Sequence, residues 1–254
     1  MILIKLGGSV LTNKDRRYSF RTHVAERLIK EIKESGIHDY VIVHGGGSFG
    51  HPGAEKYALN STEPKKPAEG IAKVQLDMRR MNNHLLEMML DEGMWGISMP
   101  GGLITIFEGG ELYQIDHEII LRYLSLGTVP VAFGDVAIDK KRGITICSGD
   151  DIMEGLSDHA DKAVFVSNVD GVYKDGDMQE VFTEDMLPLT EDDLPGKKEG
   201  VDVTGGMNKK VKKMVEISYN TDTYLINGNV KGRLKKLLNE EEVPKTEVKS
   251  DDRK

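Results

Sequence analysis

The sequence predicts an α/β fold in which a largely parallel β-sheet is covered by helices. Short apolar runs recur along the chain, and the segments between them carry apolar residues at every third or fourth position. With 254 residues, the chain can bury a full core and has the usual size of one α/β domain. The predicted strands cover residues 2–6, 40–44, 96–99, 129–133, 162–167 and 223–226.

Three segments have the period of amphipathic helices. Apolar residues recur every four positions over 21–34, between the first two strands. Over 70–92 they alternate steps of three and four, which predicts a long helix. A third helix opens at the glycine pair that ends at Gly206. Segments 103–115 and 136–147 favour hairpins or short strands instead.

Composition and charge argue against several classes of protein. A net charge of −8, with acidic and basic residues interspersed, is not typical of a nucleic-acid-binding protein. Cys147 is the single cysteine, which excludes a disulfide framework and favours a reducing compartment. No apolar run is long enough to cross a bilayer, and the first residues resemble neither a signal peptide nor an anchor. We therefore expect a cytoplasmic protein that binds neither nucleic acid nor membrane.

A glycine-rich turn follows the predicted strand 40–44 and is the most informative segment. Gly45 begins a run of three glycines, and Gly50 follows closely. Without Cβ atoms, such a turn can point several backbone N–H groups at one anion. Its spacing also matches a dinucleotide-binding fingerprint, but Pro52 follows at once and we expect no helix there. The turn is therefore interpreted as a phosphate site, and an NAD-binding oxidoreductase is rejected.

Three other segments combine glycines with charged residues. Residues 5–9 leave the first strand and place a lysine beside a glycine turn. The glycine pair 205–206 opens a helix that carries Lys209 and Lys210, so backbone N–H groups and ammonium charges can converge there. Residues 148–151 precede another helix with two adjacent acids, which could cap the helix or hold lysines. Together these segments provide the components that phosphoryl transfer requires.

These motifs resemble those of the amino-acid kinase superfamily and, within it, of the isopentenyl phosphate kinases. The matching segments are Lys5-Leu-Gly-Gly-Ser9, His44-Gly-Gly-Gly-Ser-Phe-Gly-His-Pro52, Ser148-Gly-Asp-Asp-Ile152, Ser167-Asn-Val-Asp-Gly171 and Thr204-Gly-Gly-Met-Asn-Lys-Lys210. The resemblance implies the amino-acid kinase fold, a three-layer α/β/α sandwich with a largely parallel central sheet. It implies a single domain over 1–254, with the acceptor bound by about 1–145 and ATP by about 146–254.

The resemblance also implies a reaction and its participants. The γ-phosphoryl group of ATP, with Mg²⁺ as cofactor, would be transferred to the phosphate of isopentenyl phosphate. The products would be isopentenyl diphosphate and ADP, in the archaeal-type mevalonate route of isoprenoid synthesis. A homodimer is common in the family.

Carried over by position, the resemblance assigns roles to individual residues. Lys5 and Lys14 would stabilise the transferring phosphoryl group, and Asp151, in preference to Asp150, would orient the lysines. His51 is the residue that distinguishes this family from relatives whose acceptor is a carboxylate. Gly46 and His51 are expected to hold the acceptor's phosphate, and Gly149 is expected to face the acceptor. Those expected to bind ATP are Lys5, Gly7, Gly8, Ser9, Gly47, Asn168, Asp170, Gly206 and Lys210.

Several assignments leave alternatives open. The family often has aspartate where this chain has Asn168, so the metal ligands are left unassigned. By its sequence context alone, Lys14 would be a solvated loop lysine, whereas a lysine inside an apolar strand, as Lys5 is, is costly unless it serves an anion. The helix predicted over 70–92 would belong mainly to the core. As a hypothesis, its residues Ile71 and Val74, together with Ile146, line a pocket for the isoprenoid tail.

Two other functions remain in competition. The first is a kinase of the same fold that acts on an amino acid, carbamate or another phosphate or phosphonate. The second is a nucleotide-binding protein that keeps the fold without turnover. Lys5, Lys14 and the pair Asp150 and Asp151 are all present, which favours an active enzyme.

Overall fold

The computed structural model describes residues 1–13, 15–190, 193 and 203–250, and its centre is an eight-stranded sheet. The strands are β1 (Ile2–Leu6), β2 (Tyr40–His44), β3 (Gly96–Pro100), β4 (Thr105–Glu108), β5 (Glu111–Ile115), β6 (Val129–Phe133), β7 (Asp135–Asp139), β8 (Gly143–Cys147), β9 (Lys162–Ser167), β10 (Val172–Lys174), β11 (Asp177–Gln179), β12 (Val181–Thr183), β13 (Asp222–Asn227) and β14 (Thr246–Lys249). The large sheet has the order β12-β14-β13-β9-β1-β2-β6-β3. Every neighbouring pair in it is parallel except β13 and β14.

Helices cover both faces of this sheet. They are α1 (Gly8–Leu11), α2 (Thr22–Ser35), α3 (Gly47–Lys56), α4 (Pro67–Asp91), α5 (Gly101–Ile104), α6 (His117–Ser125), α7 (Gly149–Gly155), α8 (Val203–Ser218) and α9 (Arg233–Leu238). On one face Ile4 of β1 belongs to a core with residues of α2, α4 and α9. On the other face Leu3 belongs to a core with residues of α6, α7 and α8. The predicted α/β/α sandwich is thus confirmed.

Two hairpins form a separate four-stranded sheet with the order β5-β4-β7-β8. This outcome agrees with the strands predicted over 103–115 and 136–147, although α5 occupies the first two residues of the former. The carboxylate of Asp139 joins the two hairpin tips, because it accepts backbone N–H groups of Gly109 (3.0 Å) and Arg142 (2.8 Å). Burial acts to raise the pKa of Asp139, but these hydrogen bonds outweigh it and lower the pKa to about 2.

The six predicted strands of the large sheet all exist, and four have the predicted limits. The four strands with the predicted limits are buried on both faces, so each is a mainly apolar run that stands out in the sequence. The long helix α4 begins at Pro67, three residues before its predicted start, and follows the exposed loop 60–66. The short helices α6 and α9 were not predicted. Within the described residues, no helix combines the length and the apolar character that a membrane span requires.

Candidate active site

Two glycine turns meet at the carboxyl edge of the large sheet. Gly8 follows β1 and Gly47 follows β2, and these two strands are parallel neighbours. A Cβ atom on Gly8 would lie 2.6 Å from the backbone nitrogen of Gly47, and one on Gly45 would lie 3.1 Å from the nitrogen of Gly8. Since the first of these distances is one that real Cβ atoms do not reach, Gly8 is required for the contact. The two turns therefore form one continuous backbone surface.

Thr12 links the first turn to the helix that follows the second. Its buried hydroxyl donates to the carbonyl oxygen of Gly8 at 2.7 Å and accepts the N–H of Ser48 at 3.0 Å. Gly47 has a φ of +46°, and a Cβ there would lie 2.3 Å from the Thr12 hydroxyl oxygen. Thr12 could not be recognised from the sequence, because a threonine four residues after a glycine is a common local pattern. Its importance comes from a partner 36 residues away.

The second turn runs directly into helix α3, and this corrects the expectation that no helix follows it. Pro52 lies inside α3 and lacks an N–H group, so the carbonyl oxygen of Ser48 has no partner one turn later. The N–H of Tyr18 donates to that oxygen at 3.4 Å instead. A proline is therefore tolerated because another segment supplies the missing donor.

Helix α3 packs closely against α4 through its glycines. A Cβ on Gly50 would lie 2.8 Å from the sulfur of Met78, and one on Gly53 would lie 2.8 Å from a methyl carbon of Val74. The exposed side chain of His51 has its Cδ2 atom 3.5 Å from the Cβ position of Gly46. The structure therefore brings together the two residues that were predicted to hold an acceptor phosphate.

Lys5 lies in β1 and is 6% exposed. Its ammonium group forms an ion pair with Asp150 of α7 and lies 5.5 Å from the centre of the Phe165 ring. A Cβ on Gly149 would lie 3.2 Å from Cε of Lys5, so a glycine there leaves space for the lysine.

Asp150 is ionised in this environment. Burial acts to raise its pKa, but the ammonium groups of Lys5, Lys210 and Lys209 outweigh burial and hold the pKa below its ordinary value.

The start of α7 is fixed by a reciprocal cap. Ser148 accepts the N–H of Asp151 at 3.2 Å, and the Asp151 carboxylate accepts the N–H of Ser148 at 2.8 Å. The other carboxylate oxygen of Asp151 lies 3.8 Å from the ammonium group of Lys213. Burial acts to lower the pKa of Lys213, but Glu154, Glu216 and Asp151 raise it above its ordinary value. This ammonium group is therefore a permanent charge that joins α7 to α8.

A cleft of about 780 Å³ lies beside these elements. It contains His51 of α3, Ile146 of β8 and Asp151 of α7 on its walls, and basic and acidic side chains both line it. The basic residues are Arg142, Lys209, Lys212 and Lys213, and the acidic ones are Glu55, Glu111, Asp151 and Glu216. A slightly larger groove of about 850 Å³ is lined by α2, α4 and the region of α9, and none of the predicted site residues lines it.

Comparison with known proteins identifies the family. Residues 1–227 match the model of the amino acid kinase family. The chain is 36% identical over 236 residues to the isopentenyl phosphate kinase of Thermoplasma acidophilum, with 90% of this chain and 92% of that protein covered. It is 31% identical to the isopentenyl phosphate kinase of Methanothermobacter thermautotrophicus, with 98% of each chain covered. The chain belongs to the isopentenyl phosphate kinases.

A solved isopentenyl phosphate kinase structure superimposes on the fold with a TM-score of 0.84. The superposition covers 97% of this chain and 99% of that one, at 28% sequence identity. The three-layer arrangement is therefore the fold of this family.

One position differs from the expectation taken from the amino-acid kinases. The resemblance to that family favoured Asp151 over Asp150 as the residue that orients the lysines. In the structure Lys5 pairs with Asp150, and Asp151 instead caps α7 and faces Lys213. Adjacent residues in the first turn of a helix point in different directions, so the sequence alone did not decide between them.

The residues expected to bind ATP lie along the same edge of the sheet. The N–H of Gly7 donates to the carbonyl oxygen of Val166 at 2.9 Å, which joins the first glycine turn to the end of β9. The ammonium group of Lys210 lies 3.4 Å from the Ser167 hydroxyl, also at the end of β9. The other residues of this set near β9 and α8 are Asn168, Asp170 and Gly206, and Ser9 lies in α1.

Asn168 and Gly206 are exposed, whereas Asp170 has partners. The carboxylate of Asp170 pairs with Arg233 of α9 and accepts the side-chain amide of Asn227 at 3.3 Å. Asp170 is therefore held in place by the last residue of β13 and by α9.

The three apolar residues proposed for the isoprenoid pocket lie in two environments. Ile146 lines the cleft, and Ile71 and Ile146 are both partly buried against the same hydrophobic core. Val74 is 2% exposed and packs against Gly53, so its contact is the interface of α3 and α4. The remaining predicted residue, Lys14, lies outside the described residues.

Proposed function

We propose that this chain transfers the γ-phosphoryl group of ATP to the phosphate of isopentenyl phosphate and releases isopentenyl diphosphate and ADP. The observation that carries the proposal is the contact between the two glycine turns. It places the pair Gly46 and His51 beside the turn that follows Lys5. An acceptor phosphate bound by Gly46 and His51 would therefore lie next to Lys5, the lysine assigned to the transferring phosphoryl group. The identity of the acceptor is inferred from the relatives, which are named isopentenyl phosphate kinases.

The proposed mechanism relies on position and charge. A phosphate oxygen of the acceptor attacks the γ-phosphorus of ATP, and the bond to the oxygen that bridges the β- and γ-phosphates breaks as ADP leaves. The attacking oxygen is already ionised near neutral pH, so no side chain has to remove a proton. Lys5 and Lys14 neutralise the charge of the two anions, and the N–H of Gly8 contributes a donor. Asp150 holds Lys5 in position through their ion pair.

On the acceptor side, Gly46 and His51 would hold the phosphate, and Gly149 would face the acceptor. Ile71, Val74 and Ile146 would line the pocket for the apolar tail, Val74 from its buried position between α3 and α4. On the nucleotide side, the residues of this proposal are Gly7, Gly8, Ser9, Gly47, Asn168, Asp170, Gly206 and Lys210. We infer that a single domain over 1–254 divides at about residue 145 into an acceptor half and an ATP half.

We infer that Mg²⁺ reaches this site together with ATP. The described residues include no group of three acidic, histidine or cysteine side chains arranged to hold a metal ion. This agrees with the usual binding of Mg²⁺, which relies on substrate phosphates and one or two carboxylates. Asp150, 20% exposed at its side chain, is the carboxylate that fits this task. The ion would neutralise charge on the β- and γ-phosphates.

We also infer a cytoplasmic homodimer. Among the described residues, strand β3 is the last strand of the large sheet on one side, and this edge could pair with a second copy. Large apolar side chains near its start are exposed: Leu90 (61%), Trp95 (59%) and Leu126 (75%). The single cysteine, Cys147, is buried and free, which is consistent with a reducing compartment.

The test is release of ADP from ATP with a panel of acceptors. The panel contains isopentenyl phosphate, dimethylallyl phosphate, N-acetylglutamate, aspartate, carbamate, UMP and fosfomycin. We expect rapid release with the two isoprenoid monophosphates, and no release with either would overturn the proposal. His51→Ala should strongly slow the reaction, whereas near-normal turnover by this variant would favour a kinase with a different acceptor site.

A further inference from the structure

The loop between α1 and α2 is closed at its base by backbone contacts. Thr12 and Phe20 form an isolated antiparallel bridge, and the N–H of Asn13 donates to the carbonyl oxygen of Ser19 at 3.0 Å. Residues 15–18 between these contacts are exposed. Lys14 belongs to the same loop in the sequence.

The end of this loop is attached to α3. The N–H of Ser19 donates to the hydroxyl of Ser48 at 3.2 Å, and the N–H of Tyr18 donates to the Ser48 carbonyl oxygen, the one left free by Pro52. The ring of Tyr18 also meets that of Phe49 edge-on, with 5.5 Å between their centres. The loop therefore contacts the helix that carries His51.

A buried carboxylate on α4 holds the same tyrosine. Asp77 has 0% exposure, and its Oδ2 atom accepts the Tyr18 hydroxyl at 2.9 Å. Its Oδ1 atom accepts Lys73 at 2.9 Å and Arg80 at 3.3 Å, both from its own helix. Of the side chains that bind Asp77 among the described residues, Lys73 and Arg80 lie in α4 and Tyr18 lies outside it.

Two features that would be unfavourable alone are compensated in this attachment. A carboxylate without solvent exposure is unfavourable unless cations and donors compensate it, and here both are present. Tyr18 also has a φ of +54°, a left-handed conformation that residues other than glycine seldom adopt. The hydroxyl bond and the ring contact offset this strain.

We propose that Asp77 is a positioning residue for phosphoryl transfer, acting through the Tyr18 hydroxyl to hold residues 18–20, the end of the α1–α2 loop, against α4. It touches no substrate. Its effect comes from ordering this end of the loop before the reaction, so that the conformational entropy of these residues is not lost in the transition state. The inference rests on the proposed function, because that function gives Lys14 of this loop the task of neutralising the transferring phosphoryl group.

Tyr18→Phe is the sharpest test, since it removes one hydroxyl and keeps the ring. We expect kcat to fall roughly tenfold, as loss of a hydrogen bond to a charged group would produce, with little change in KM for ATP or acceptor. Asp77→Asn should act in the same direction. Tyr219→Phe is the matched control, because its hydroxyl also donates to a carboxylate, that of Glu184 at 2.8 Å, and it should retain kcat.

Two further measurements separate positioning from general loss of stability. Trypsin should cut native Tyr18→Phe faster after the exposed Arg16 and Arg17 than it cuts the wild type or the Tyr219→Phe control. In a Lys14→Ala background, Tyr18→Phe should cause no additional fall in kcat. An equal fall in both backgrounds, or an unchanged kcat in the single variant, would overturn the proposal.

The tryptic measurement also distinguishes this inference from the proposed function. It requires no knowledge of the acceptor. If the wild type fails with both isoprenoid monophosphates, the proposed function fails, and the kinetic comparison is made with the panel acceptor that does release ADP. If the wild type phosphorylates isopentenyl phosphate but Tyr18→Phe is cut at the wild-type rate, the positioning role alone is wrong.

Discussion

Lys5 of β1 and Asp150 of α7 form an ion pair that joins the two proposed halves of the chain. Lys5 approaches from the acceptor half and Asp150 from the ATP half. Neither half alone contains both charges. The ion pair therefore forms only when α7 of the second half packs beside β1 of the first half. The pair also keeps Asp150 ionised, since the lysine lowers its pKa against the effect of burial.

Asp150→Asn should lower kcat by roughly ten- to a hundredfold, because it weakens a charge-assisted hydrogen bond to Lys5. Asp151→Asn should lower the melting temperature through the cap of α7 and reduce kcat less. Steady-state kinetics and thermal unfolding of both variants provide the comparison. A larger fall in kcat for Asp151→Asn would return the task of orienting the lysines to that residue.

Stability should decline with acid because of His44. This histidine is buried, stacks on Phe133 and has its Nε2 atom 3.2 Å from the Asn82 side-chain oxygen. Burial lowers its pKa to about 4, and hydrogen bonds to Gly45 and Asn82 only partly oppose this. Between pH 6.5 and 4 the unfolded chain binds a proton that the folded chain does not. The stabilisation is therefore complete above pH 6.5 and is lost as pH falls.

Urea unfolding at pH 7 and pH 5 measures the effect. From this histidine alone, the wild type should lose about 2 kcal/mol of unfolding free energy between the two values. His44→Gln should lose less between them, and His23→Gln, whose side chain is fully exposed in the native protein, should behave as the wild type. Equal pH dependence in the His44 variant and the wild type would contradict the assignment.

Gly8→Ala should destabilise the protein and inactivate it. Its Cβ would meet the backbone of Gly47, which cannot move as a flexible side chain could. We expect a loss of roughly 1–3 kcal/mol, the usual cost of overpacking. Gly206→Ala is the control for stability, since a Cβ there meets none of the described atoms within 4 Å and alanine favours a helix. Thermal unfolding of the two variants should shift in opposite directions, and equal shifts would refute the contact.

Glu31→Ala should weaken the attachment of α9 to α2 and lower the stability of the protein. The buried Glu31 carboxylate accepts the N–H groups of Gly232 at 2.9 Å and Leu234 at 3.2 Å, and so caps α9 from another helix. Loss of these bonds should cost roughly 1–3 kcal/mol, as expected when buried donors lose their acceptor. Glu34→Ala removes an exposed carboxylate one turn later and should change denaturant unfolding little. A comparable loss in both variants would argue against the cap.

The sequence was most informative where a single local property decides the structure. Strands β1 and β2 were predicted to the residue because each is a short, mainly apolar run that ends at a glycine turn. Helix α3 was missed because Pro52 and its glycines disfavour a helix, and tertiary contacts override that preference. One such contact is the N–H that Tyr18 supplies to Ser48, 30 residues away.

The site could be predicted as a set of segments but not as a set of contacts. The glycine turns can be recognised from composition alone, and so can the lysines beside them. The choice between Asp150 and Asp151 depends on the direction of the first turn of α7, which adjacent residues do not reveal. The sequence places Asp77 in a predicted helix but does not reveal its contact with Tyr18, because the two residues lie 59 positions apart.

The close approach of Gly8 to Gly47 constrains how substrate range can change in this chain. Because the backbone of one turn lies against that of the other, neither can be reshaped for a larger or smaller head group without disturbing the other. Diversification, in nature or in the laboratory, is therefore confined to the walls beyond the turns. Under the proposed function, substitutions at residues such as Ile71 and Ile146 would vary the length of the accepted tail while the phosphate chemistry stays the same.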